Sequence, residues 1–322
     1  MINLVITPLV YLILLGLLLI FVMALLSPLE TLNWWAGWGH ETGKEIDPAA
    51  PPEHAPAEDV AYYAVYLTAI GGISAEDISY REQRFLDKLQ ARLPRLRLIH
   101  DVFPFSVTNN PLNGERQLSW LWQKLHNSRM KKSGFILAGL IFVRNLLQVA
   151  VSGDPRYGPM YNVGVAKEIG QSLLRQGYTP GSGIPIFVMG WSGGGQIAIG
   201  AARYLREAFV APVYVISIGG VMADDPGISY VEHLYHLNGT KDRFPKIGEI
   251  LYPGRWPFLK YTAWNQAKQN GKISVIVPGP MVHTGRRDYF DRKATLPDGQ
   301  TYLDKTVEII SGIIAEKRSA PE

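Results

Sequence analysis

The sequence predicts an α/β chain built on a mostly parallel, open sheet flanked by helices. Three observations carry that expectation. From Ala61 to Ala315, short apolar and β-branched runs alternate with amphipathic stretches of helical period, the pattern of parallel strands joined by helical crossovers. Mid-chain, the apolar run Ile184–Gly190 ends in a glycine-rich turn and is followed by a helical pattern, Gln196–Phe209. Finally, 322 residues of which 47% are hydrophobic suffice for a full core in one large domain or two small ones.

The elements follow in order. Val5–Leu26 is a run without a charged residue, about the 20 residues needed to span a bilayer as a helix. A cleaved signal peptide is the competing reading and fits less well, because the run is long and lacks a basic start. Trp34, Trp35 and Trp38 stand where an interfacial aromatic belt would lie, or else pack on the globular part. The first basic residue after the run is Lys44, which leans toward a cytoplasmic domain. Residues 1–40 therefore read as an anchor with its aromatic flank. Residues 41–58, rich in Pro, Ala and Glu, read as an extended tether.

The globular part, residues 59–322, opens with strand Ala61–Thr68, helix Ala75–Leu93 and strand Arg97–Phe103. A helical insertion at about 115–155 interrupts the alternation with Leu118–His126 and Phe135–Val151. The second of these is apolar up to Arg144 and Asn145. It reads as a buried helix, or as a lid or membrane-contacting hairpin. After it come helix Tyr161–Gln176, the glycine-rich turn, strands Val213–Gly219, Val231–Leu237 and Lys272–Val277, and helix Tyr302–Ala315.

Composition narrows the function classes. The net charge of +4 is mild and no long basic tract appears, so nucleic acid is not an expected partner. The chain has no cysteine, which excludes disulfides, thiolate chemistry and cysteine-held metals. His233 and His236 are three apart, but no third ligand stands at motif spacing, and no metal is expected.

The turn itself, Gly190-Trp191-Ser192-Gly193-Gly194, fits G-x-S-x-G, a sharp strand-to-helix turn that exposes a serine on strained backbone. Overlapping it, Gly193-Gly194-Gly195-Gln196-Ile197-Ala198 fits the dinucleotide pattern G-x-G-x-x-A. Residues downstream separate the two. A serine nucleophile needs a base, and the base an orienting acid. Strand Val231–Leu237 runs into Asn238-Gly239-Thr240-Lys241-Asp242, and Lys272–Val277 runs toward His283. Both fall where loops leave strand ends, the edge on which open α/β sheets bind ligands.

With GWSGG, the GTKD turn and a late VHTG histidine in the order Ser, Asp, His, the stretch from Ala61 to Ala315 resembles an α/β-hydrolase. The resemblance implies Ser192 as nucleophile, Asp242 as orienting acid and His283 as base. Asp224 and Asp225, after the preceding strand, are the rival acids. It also implies Gly193 N–H as one oxyanion donor and the loop carrying Gly71, Gly72 and Ile73 as source of the second. Two features depart from the family: its usual first two strands are replaced by anchor and tether, and that loop lacks the full HGGG form. The implied activity is a membrane-associated serine hydrolase acting on an ester, thioester or lipid-like substrate, with no cofactor; an acyltransferase shares the chemistry. A dinucleotide-binding oxidoreductase and a membrane-tethered binding module without catalysis are the alternatives.

Overall fold

A computed structural model describes residues 11, 15, 16, 18, 21, 22, 25–37, 60–112, 119–129 and 135–317. Six parallel strands form one sheet in the order β2-β1-β3-β4-β5-β6. They are β1 (Tyr62–Leu67), β2 (Leu96–Ile99), β3 (Ile186–Trp191), β4 (Val213–Ile218), β5 (His233–Leu237) and β6 (Ile273–Ile276). The chain starts beside the centre, moves one strand outward, then crosses back to build the other half. The reversal lies between β1 and β3, and open α/β sheets bind ligands at such a point, beyond the carboxyl ends of the strands.

The helices are α1 (Pro28–Trp35), α2 (Tyr80–Arg92), α3 (Ser119–Arg129), α4 (Phe135–Ser152), α5 (Gly158–Arg175), α6 (Gly193–Phe209), α7 (Phe244–Leu251), α8 (Ala263–Gln269) and α9 (Tyr302–Glu316). Two apolar layers enclose the sheet. On one side, residues of α4, α5 and α6 such as Val149, Ile169 and Leu205 pack on Val65, Val188 and Val215. On the other, Phe85 of α2 and Ile310 of α9 pack on Tyr66, Met189 and Ile216. The central strands are buried on both faces, which is why they read as continuous apolar runs rather than as alternation.

Boundaries differ from expectation where local chemistry intervenes. Helix α2 begins at Tyr80 rather than Ala75, because Ser79 and Glu82 form a reciprocal capping box that satisfies two orphan N–H groups. Strand β2 ends at Ile99 rather than Phe103, since its register with β1 runs only from Leu96 to Ile99. Beyond it the Asn109 side chain ties down the turn, accepting from Phe103 N at 2.6 Å and donating to Asp101 O at 2.9 Å.

Helix α4 buries one face, while Phe142 and Leu146 on the other are exposed. Arg144, Asn145 and Gln148 point inward. Arg144 Nη2 meets Glu30 Oε2 of α1 at 2.8 Å, and Gln148 Nε2 donates to Ser27 O at 3.1 Å. Asn145 Nδ2 donates to Ile70 O and Gly72 O, both at 2.9 Å. The polar interruption thus marks a helix that clamps α1 and the loop after β1. Trp34 lies in the same core, so this tryptophan packs on the globular part and is no interfacial belt residue. Trp35 is exposed. Among the described residues no helix is long and apolar enough to cross a membrane; most of Val5–Leu26, Trp38 and the tether 41–58 lie outside them.

Candidate active site

Strand β3 delivers Ser192 at its carboxyl end, and α6 starts on the next residue. Ser192 has φ 54° and ψ −120°, a region that L-residues enter only under strain, at a cost of about 1–3 kcal/mol. Neighbours hold it there. Ser192 N donates to Ile218 O at 3.0 Å, and its own carbonyl accepts from Gly195 N at 3.1 Å. The turn closes so tightly that a Cβ on Gly190 would lie 2.3 Å from the carbonyl carbon of Gly194. No side chain fits at that position without opening the turn.

Ser192 Oγ lies 2.8 Å from His283 Nε2, and His283 Nδ1 lies 3.0 Å from Asp242 Oδ2. Asp242 follows β5 and His283 follows β6, so all three side chains converge from loops at one edge of the sheet. Asp242 is fully buried. Its Oδ2 also accepts from Tyr289 Oη at 2.8 Å and its Oδ1 from Phe244 N at 2.9 Å. The Tyr289 hydroxyl in turn accepts from Gly239 N at 2.9 Å, and burial together with the Asp242 charge pushes its ionisation far upward. Gly219, at φ 58°, lets the carboxylate come close: a Cβ there would stand 2.7 Å from Asp242 Oδ2. Phe244 stacks on the imidazole, ring centroids 4.1 Å apart and 18° from parallel. Tyr289 and Phe244 carry no mark in the sequence, since no spacing rule points to them.

The rival acids serve elsewhere. Asp225 Oδ2 accepts from Gln196 Nε2 at 2.8 Å and its Oδ1 from Gly227 N at 2.8 Å. Burial raises this carboxyl to about 6. Asp224 Oδ1 accepts from Trp264 N at 2.7 Å, and burial raises it too. Neither carboxylate bonds His283; Asp242 does.

The N–H groups of the expected second oxyanion donors have partners within their own loop. Gly72 N–H is turned to Ala69 O at 3.4 Å, and Ile73 N–H to Asp77 Oδ2 at 3.0 Å, so both are already committed. The member of that loop lying on the serine turn is Ile70. Its Cγ2 would be 2.8 Å from a Cβ at Gly193, and Val149 Cγ2 of α4 2.6 Å. Gly193 N–H is at the first turn of α6, where helices have no internal acceptor.

The dinucleotide reading finds no cradle. Gly193 abuts Val149 and Ile70, Gly194 would set a Cβ 2.6 Å from Leu67 O, and Gly195 would set one 2.8 Å from Ser217 Oγ. These glycines let side chains and backbone of the protein itself approach the turn closely. The two strand histidines are likewise structural. His233 Nε2 meets Ser274 Oγ at 2.8 Å, and buried His236 Nδ1 meets Ser217 Oγ at 3.2 Å. Among the described residues no cluster suited to a metal ion occurs.

His236 makes acid stability testable. Burial first, then the Arg255 charge, lower it from 6.5 to about 3. An unfolded chain takes that proton near pH 6.5, so between these values the unfolded state binds more protons. The contribution is complete above pH 6.5 and is lost as pH falls toward 3, at about 1.4 kcal/mol per pH unit. Asp225 and Asp288, both raised to about 6 by burial, run oppositely: their contribution is complete below the ordinary carboxyl value and is lost as pH rises through 6. Comparing thermal melts at pH 7 and pH 4 isolates the histidine: His236→Gln is expected to melt lower at pH 7 and to lose less on acidification than the parent.

No family model matches the sequence, and no curated protein matches it. Among solved structures, esterase PE8 aligns with 81% of this chain and 95% of its own, at 13% identity and a TM-score of 0.44. A dienelactone hydrolase from Anabaena variabilis aligns with 81% of this chain and 88% of its own, at 13% identity and a TM-score of 0.39. The chain's own parallel sheet, its strained serine turn, and the placing of Ser192, Asp242 and His283 after β3, β5 and β6 agree with the α/β-hydrolase resemblance read from the sequence.

Proposed function

We propose that the protein is a membrane-associated serine hydrolase that cleaves an ester or thioester through an acyl-enzyme. The observation that carries this reading is the unbroken line from Ser192 Oγ through His283 to buried Asp242, at 2.8 and 3.0 Å. In the first step His283 Nε2 takes the Ser192 proton as Oγ attacks the carbonyl carbon. Asp242 accepts from Nδ1–H, which leaves Nε2 free as base and stabilises the imidazolium that forms. The tetrahedral oxyanion is received by Gly193 N–H at the positive end of α6. The loop after β1, whose Ile70 side chain lies on the serine turn, is the source we assign to the second donor. The imidazolium then protonates the leaving alkoxide or thiolate. Water, deprotonated by His283, releases the acid; an alcohol in its place would give acyl transfer.

Membrane association is supported by the apolar run Val5–Leu26 and by α1, which follows it and is clamped to the globular part through Arg144 and Gln148. Pre-steady-state hydrolysis of a short-chain nitrophenyl ester tests the chemistry. A burst of one nitrophenolate per chain supports the acyl-enzyme, and linear release without any turnover above buffer contradicts it.

Asn145 gives this mechanism a positioning residue. Its amide holds Ile70 O and Gly72 O, and so the loop that supplies the second oxyanion donor. Asn145→Leu leaves both carbonyls without that partner, at about 1–3 kcal/mol for the buried Gly72 carbonyl. The expected result is a kcat lower by about 10- to 100-fold with KM little changed, since misplacement of about 1 Å costs that much in rate. Steady-state kinetics on Asn145→Leu, with a thermal melt to confirm folding, reads this directly.

A further inference from the structure

Helix α7 and the segment behind it present an apolar surface beside the site. Pro245 and Gly248 of α7 are buried against the protein, while Phe244, Ile247, Ile250 and Leu251 face outward, Ile250 at 72% and Leu251 at 63% exposure. Trp256, Phe258 and Tyr261 extend this surface, the latter two 71% and 74% exposed. The segment is firmly held. Trp256 Nε1 donates to Glu249 O of α7 at 3.0 Å, and Asn265 Nδ2 donates to Trp256 O at 2.8 Å and Leu259 O at 3.0 Å. Buried Arg255 donates to Met222 O at 3.0 Å and lies 3.8 Å over the Trp264 ring. Polar groups are turned inward here to hold apolar ones out.

The same segment exposes four cations, Lys241, Arg243, Lys246 and Lys260. Its only exposed carboxylate is Glu249, which sits 3.6 Å from Arg255 Nη2. We propose that this face docks on the anionic surface of a phospholipid bilayer. Two-fold contact with a second copy would set the same patch, and so the same four cations, against each other. A bilayer accepts both halves of the pattern: apolar side chains enter the headgroup–acyl boundary, Trp and Tyr rings sit at headgroup level, and Lys and Arg meet acidic headgroups. The face also lies at the right place. Helix α7 begins two residues after Asp242, and the Phe244 ring stacks on His283 at 4.1 Å. Docking therefore brings the His283 side of the site to the lipid boundary, where an acyl ester can enter from the lipid phase. That delivery rests on the Ser192 reading; the docking does not.

The absence of cysteine makes the test clean. Ile250→Cys, Phe258→Cys and the control Glu207→Cys, near the far end of α6, each carry one environment-sensitive fluorophore on the full chain. The chains are reconstituted in phosphatidylcholine vesicles with or without phosphatidylserine. The readout is depth at each position, measured by quenching from acyl-brominated lipid, so an anchor elsewhere in the chain does not decide it. With phosphatidylserine, quenching at 250 and 258 is expected to exceed that at 207 by about threefold or more. Omitting phosphatidylserine, or adding Lys246→Glu with Lys260→Glu, is expected to reduce it. Equal quenching at all three positions, or indifference to lipid charge, would overturn the proposal, as would fluorophores shielded by a second copy in solution. Fluorophosphonate labelling of the same samples keeps the two ideas apart: labelled but undocked protein fails only the docking, and docked but unlabelled protein fails only the Ser192 chemistry.

Discussion

Ser192→Ala is expected to lower ester turnover by on the order of 10⁵- to 10⁶-fold while leaving the fold intact. Without Oγ no acyl-enzyme forms, and only binding and the oxyanion donors remain to assist water. The backbone supplies an independent readout. At φ 54° and ψ −120° alanine is as strained as serine, so its melt should match the parent. Glycine has no Cβ to clash, and relief of about 1–3 kcal/mol of strain outweighs its extra unfolded-state entropy of about 0.4–1 kcal/mol. Ser192→Gly should therefore be inactive and melt higher. Thermal melts of the two variants beside kcat measurements separate chemistry from strain.

Asp242→Asn is expected to cost about 10⁴-fold in kcat, far more than the loss of one charge at a surface would. Three donors converge on this carboxylate: His283 Nδ1 and Tyr289 Oη on Oδ2, and Phe244 N on Oδ1. An asparagine replaces one acceptor oxygen by an NH₂ group. If that group faces His283, Nδ1 must accept, and the ring proton moves to Nε2. Nε2 then donates to Ser192 and can no longer act as base. If the amide is flipped, the NH₂ group faces Phe244 N–H and two donors collide in a buried site. Either arrangement disables the base or loosens the loop. Steady-state kinetics of Asp242→Asn across pH, alongside Tyr289→Phe as a milder change that removes one donor, checks the effect.

The strands were legible because burial on both faces makes them apolar runs of the right length, and β1, β3, β4, β5 and β6 appear within a residue or two of their expected bounds. Chain order also singled out Ser192, Asp242 and His283, which the structure links at 2.8 and 3.0 Å. What spacing could not do was choose Asp242 over Asp225, since either can follow a strand end. That choice needed the third dimension, where Gln196 and Gly227 occupy Asp225 and leave Asp242 to His283. The second oxyanion donor was no easier to read. The glycine pair Gly71-Gly72 drew attention as open backbone, yet Gly72 and Ile73 spend their N–H groups inside their own loop. Helices α7 and α8 were not expected at all. They are short, lie among Pro253, Gly254 and Pro257, and α7 turns its apolar residues outward, against the rule that apolar faces mark the core.

A fluorophosphonate adduct, located by intact mass and peptide mapping of the full chain, reports whether Ser192 is the nucleophile. One adduct per chain is expected on the peptide bearing Ser192, with no adduct on Ser192→Ala and slow labelling of His283→Ala. An adduct on another residue, or equal labelling of the parent and Ser192→Ala, would contradict that role.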